Sequence, residues 1–214
     1  MEVSHERMAH FIFASDNLEE FQHLHAEDFG ASAEELKATG RFDLRMTFPA
    51  GGKYRLGSDF QLEGNAVHKE SALEVKGSAQ EKTRWNYRRK AAAGDAEISL
   101  SVSPETPKSG FPVRFAFDLS KNGAPVGDLE PYLGAGAHIA LFGEKSAASE
   151  HLHGDFASPG ESETPSGHGG HHQASGSSRI IFSHAFPSPG RYRLWMQFRR
   201  AGKVYTIPFD FEVM

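Results

Sequence analysis

The chain has 214 residues, a net charge of −5, twelve histidines and no cysteine. The acidic balance argues against a general nucleic-acid surface, and the missing thiols exclude disulfides and thiolate metal sites. No apolar run approaches the ~18 residues of a membrane helix, and two compact domains of about 100 residues each fit the length.

Brief alternating or apolar runs punctuated by Gly, Pro, Asn and Asp predict an all-β protein. In residues 1–77 the runs are ERMAHFIFAS, EFQHLHAE, RFDLRMTF, KYRLGSDFQ and HKESALEV, and SAEELKATG (32–40) is a short helix candidate. Residues 78–93 connect this unit to the next. Within them, residues 82–90 (KTRWNYRRK) interleave cations and aromatics, a pattern open to nucleic-acid stacking but read here as a strand with a solvated charged face. Residues 94–214 carry EISLSVS, VRFAFDLS, AHIALFG, SEHLHGDF, RIIFSHAF, RYRLWMQFRR and VYTIPFDFEV. Asn122-Gly123 and Ala201-Gly202 mark hairpin turns. This second unit reads as an immunoglobulin-like sandwich. The first has no counterpart of EISLSVS or VRFAFDLS, so it is a sandwich lacking its opening strands, with an edge left to pair. Residues 157–178 form a Gly-, Ser- and His-rich loop in the second unit only, where His168, His171 and His172 are weak metal recruiters.

The two units repeat one motif. A histidine, twelve residues and then His-x-His occur as His10, His23, His25 and again as His138, His151, His153. Alternation places the two histidines of His-x-His on one strand face. Hairpins turning near Asn17 and Lys145 would set His10 opposite His23 and His138 opposite His151, within about 5 Å. Each trio then forms a candidate metal site, since neutral imidazole suits copper and zinc and three histidines with a fourth position open suit zinc. Met8, two residues before His10, and Met46 are candidate fourth ligands of the first site, and His184, aligned with Met46, is the candidate fourth ligand of the second. A thioether in the first site would favour Cu(I). Ligation needs neutral rings, so binding should weaken below about pH 6. No zinc-protease helix, nucleophile elbow or phosphate loop is present, and the reading is non-catalytic.

The stretch AEISLSVSPETPKSGFPVRFAFDLSKNGAPVGDLEPYLGAGAHIALFG, followed by EHLHGDF and FPSPGRYRLWMQF, resembles bacterial extracytoplasmic YtkA-like immunoglobulin-like domains. The resemblance covers most of residues 94–214 and, more weakly, 5–77. It implies a β-sandwich outside the cytoplasm, in the company of metal-handling systems, that binds copper. MEVSHERMAH has no apolar signal core, so an export signal is expected to have been removed or to lie upstream. Two functions follow as expectations. The first is an extracytoplasmic metal-binding protein, with copper as the ion and zinc the alternative. The second is a structural subunit of a surface assembly or fibre that self-associates by donor-strand pairing, with the histidine clusters at its contacts.

Overall fold

The structure, a computed structural model, describes residues 1–146, 149–157 and 177–214; His168, His171 and His172 lie outside them. The protein is all-β. Its strands are β1 (Ala9–Ser15), β2 (Phe21–Leu24), β3 (Gly52–Leu62), β4 (Asn65–Val75), β5 (Lys90–Ala93), β6 (Ala96–Ser103), β7 (Pro112–Lys121), β8 (Ala124–Pro125), β9 (Leu129–Glu130), β10 (Ala137–Gly143), β11 (Ser149–Ala157), β12 (Arg179–Ala185), β13 (Gly190–Arg200) and β14 (Lys203–Val213). They form a four-stranded sheet, β2-β1-β3-β4, and a ten-stranded one, β14-β13-β10-β11-β12-β7-β6-β5 with β8 and β9 beside it. The chain separates into two compact units. The first comprises Met1–Arg84 with Ser146–His151, and the second Trp85–Lys145 with Leu152–Met214. Among the described residues no helix is long and apolar enough to cross a membrane.

In the second unit the sheet closes over a continuous apolar core. Rings from strands far apart in the sheet meet across it: Phe115 with Phe211 at 5.3 Å and Phe117 with Phe209 at 5.4 Å between centroids. That is sandwich packing, because alternate residues of each strand point inward. Asn122 and Gly123 turn β7 into β8 with φ of 52° and 79°, and Ala201 and Gly202 turn β13 into β14 with φ of 48° and 73°. Paired positive φ values are what a two-residue hairpin that follows the strand twist demands.

The first unit repeats the second in register. His10 lies across from Asp59, and Gly52 from Val75. The matching pairs are His138 with Gln197 and Gly190 with Val213. Tyr54 Oη donates to the Ala50 carbonyl at 2.8 Å and Tyr192 Oη to the Ser188 carbonyl at 2.7 Å, the corner bond of immunoglobulin-like folds. The short helix is present as α1 (Ala33–Thr39), capped by Ser32 Oγ accepting from Glu35 N–H, and its one buried residue is Leu36.

Two predicted strands are not strands. RFDLRMTF is extended and alternates between half-buried and exposed positions, yet it belongs to no ladder. Its counterpart β12 is held by seven residues of β7, and among the described residues the first unit has no strand in that place. The TRWNYRR segment also runs without a ladder before β5. One backbone bond, from Leu100 N–H to the Arg89 carbonyl at 2.7 Å, ties its end, and side chains hold the rest. Arg191 and Arg193 lie 5.2 and 5.5 Å from the Trp85 ring centroid, and Asn86 N–H donates to Asp210 Oδ2 at 2.5 Å. Asp210 is itself buried in a bidentate pair with Arg193.

Candidate metal centre

The site begins with a turn. Ser4 and Arg7 exchange backbone hydrogen bonds of 2.8 and 3.1 Å, with His5 and Glu6 at φ of 47° and 64° between them. This turn lays the Ser4 carbonyl beside β1, where His10 Nε2 donates to it at 3.1 Å. A carbonyl only accepts, so Nε2 carries the hydrogen and Nδ1 keeps a lone pair. The second unit builds the same device. Tyr132 and Ala135 exchange bonds across Leu133 and Gly134, and His138 Nε2 lies 3.1 Å from the Tyr132 carbonyl.

The β1–β2 register differs from the expected one by two residues. His23 lies opposite Ile12, not His10. The turn is centred between Asn17 and Leu18, one residue later than a pairing of His10 with His23 requires. Ser15 N–H donates to the Glu20 carbonyl at 3.0 Å, while Ser15 Oγ accepts from Glu19 and Glu20 N–H. A two-residue slip preserves the face of every side chain, so His10, His23 and His25 still converge. His10 Nδ1, His23 Nε2 and His25 Nε2 are 3.1 Å apart in all three pairings. That triangle is close to the ~3.3 Å edge of a tetrahedron with bonds of 2.0–2.1 Å to zinc or a similar ion.

His25 is oriented by Asp28, whose Oδ2 accepts from Nδ1 at 2.8 Å. The one-turn 3₁₀ helix Ala26–Phe29 brings that carboxylate back under the ring. His25 Nε2 is therefore also a lone-pair atom. Two lone pairs, on His10 Nδ1 and His25 Nε2, thus face each other at 3.1 Å. His23 can donate a hydrogen to one of them, but their mutual repulsion calls for a cation between them. A proton is disfavoured there. Burial is the largest influence on His10 and carries its pKa down to about 4, against the raising effect of the Ser4 bond. Burial likewise lowers His25, over the opposing pull of Asp28. The cluster suits a metal ion instead.

A further imidazole, from the start of β11, lies beside His10 and His23. His151 belongs to the first unit, and its ring centroid is 4.9 Å from that of His10 and 5.1 Å from that of His23. The ligand atoms of His10, His23 and His151 lie within 4.8 Å of one another. Asp59, cross-strand from His10 on β3, places Oδ2 3.4 Å from His151 Nδ1. Burial holds His151 well below its ordinary pKa, and the neighbouring His10 adds to the effect. His151 is held in this unit by its neighbours: Arg55 Nη1 donates to the Ser146 carbonyl at 2.7 Å and Ser149 N–H to Glu70 Oε1 at 2.7 Å.

The other expected ligands have these surroundings within their own units. Met8 is 2% exposed and packs in an apolar cluster with Ala26 and Leu36; it is part of the core. Met46 lines an open groove with Glu20, Gln22, Arg45, Thr47 and Pro49. His153 meets His138 edge-on at 4.7 Å, and His184 packs edge-on against Phe186 at 4.7 Å. The histidine spacing does not point to Asp28 or Asp59 as carboxylate partners of the rings. Asp28, three residues after His25, was visible in principle; Asp59 required the β1–β3 register.

A family model described as a domain of unknown function (DUF8832) matches residues 1–77 and 91–214. No curated protein matches the chain.

Proposed function

Because the chain belongs to the DUF8832 family, whose description assigns no activity, we propose a function from the geometry of its histidines. The protein binds one transition-metal ion through His10, His23, His25 and His151, and it stores or delivers that ion without turnover. The observation that carries this reading is the confrontation of two lone-pair nitrogens at 3.1 Å, each with its opposite ring nitrogen held by an oxygen. Metal-bound histidines are oriented in this way, by a carbonyl or carboxylate on the far nitrogen.

Four imidazoles and no sulfur favour Cu(II) over Cu(I), and the ordinary affinity order puts Cu(II) above Zn(II). Copper is therefore the ion we propose, with zinc second. Four protein ligands leave no open position of the kind catalytic zinc sites keep, which supports a binding role. The extracytoplasmic setting rests on the resemblance to YtkA-like domains and is part of the proposal.

Chelator-stripped protein titrated with Cu(II) and with Zn(II) tests the reading. One tightly bound ion per chain is expected, with copper bound more tightly than zinc. His23→Ala combined with His151→Ala should abolish that binding. Unchanged stoichiometry and affinity in the double variant would reject the site.

A further inference from the structure

Residues 41–48 have the form of a strand without a ladder. Phe42, Leu44, Met46 and Phe48 are half-buried, and the residues between them are exposed. Phe42 packs on Phe11 at 5.4 Å and Phe48 on Tyr54 at 4.8 Å. On one side the Gln22 amide donates to the Thr47 carbonyl at 2.9 Å. Among the described residues, no backbone hydrogen bond joins 42–48 to a strand. The segment is thus pinned by alternate side chains, and among the described residues its backbone groups, apart from the Thr47 carbonyl, pair with no strand. An incoming strand recognises such an edge by main-chain pairing, and pre-organisation lowers the ordering cost.

The second unit shows what fits there. Its equivalent strand β12 pairs antiparallel with β7, setting Ile180 against Phe117 and Phe182 against Phe115. At the end of that ladder Arg179 donates to both carboxylate oxygens of Asp118, at 2.7 and 3.0 Å. Arg41 holds the position of Arg179, but it is highly exposed, and its one ion pair among the described residues is with its neighbour Asp43, at 3.0 Å. We propose that residues 41–48 are an acceptor site for one extended strand of a separate polypeptide. That strand runs antiparallel, is apolar at alternate positions and carries an acidic residue opposite Arg41. A second copy of this chain is a poor donor, because its own β7 already lies between β6 and β12.

The test uses the full chain and, as probe, a labelled peptide with the sequence of residues 112–121. Saturable binding is expected, with hydrogen-exchange protection confined to residues 42–48. Arg41→Glu, at a solvent-facing position that leaves folding alone, should weaken binding about fivefold, the scale of a well-formed exposed ion pair. The peptide with Asp118→Arg should restore affinity for that variant. Absence of saturable binding, protection elsewhere, or indifference to both charge changes would overturn the site. Self-association of the chain that the peptide competes away would overturn the separate polypeptide in favour of a second copy.

Discussion

Asp28 and the Ser4 carbonyl decide which nitrogens of His25 and His10 face the cluster, and so they decide its chemistry. Removing such a partner leaves the ligand in place but lets the ring turn and lowers its basicity. Asp28→Ala should therefore weaken metal binding about 10–100-fold with the far-ultraviolet spectrum unchanged, measured by competition with a chelator of known affinity. Acid sensitivity follows from His10. Its folded pKa of about 4 lies below the ordinary 6.5, so between those values the unfolded chain takes up a proton that the folded chain refuses. Stability of the metal-free protein should be unaffected by this group above pH 6.5. It should fall as the pH drops from 6.5 to 4, by up to about 3 kcal/mol, and level off below. Urea unfolding at successive pH values measures this, and the slope should flatten in His10→Gln, which can keep a donor near Ser4. Binding weakened below about pH 6 is the expectation for ordinary imidazoles; burial of His10, His25 and His151 shifts proton competition lower.

Among elements, the hairpins and their corners were legible because they depend on local residues. Asn122-Gly123 and Ala201-Gly202 adopt the backbone their types favour, and the paired FPAGGKY and FPSPGRY segments build equivalent tyrosine bonds. Tyr54→Phe and Tyr192→Phe should each cost about 1 kcal/mol, the net value of one such hydrogen bond, in denaturant unfolding of the respective unit. Strand assignment failed where a partner was missing. RFDLRMTF and RIIFSHAF have the same alternation, but only the latter has β7 beside it. Alternation reports which side chains turn inward; a ladder requires a neighbour, and that is not a local property. The histidine faces were legible from period two alone. The register was not, because Ser15 and Asn17 set the turn centre through side-chain bonds.

For the whole molecule, the repeat was the most accessible feature, and the structure extends it to matched registers on both sides of β3 and β13. An equal division of histidines between the units did not follow from it. His151 sits in the first unit because Ser146 and Ser149 are bound by Arg55 and Glu70, contacts that the histidine spacing does not announce. Metal loading should accordingly be felt unequally. At an ion concentration 100 times Kd, amides of β1 and β2 should gain protection worth about 2.7 kcal/mol where exchange requires opening of the site. Those of β13 and β14 should be unchanged. Hydrogen exchange with and without copper measures the contrast.

X-ray absorption at the metal edge of the copper-loaded protein examines the ligand set directly. The account predicts four nitrogen neighbours near 2.0 Å with imidazole outer-shell scattering and no sulfur. A sulfur neighbour near 2.3 Å, or fewer than three imidazoles, would contradict it.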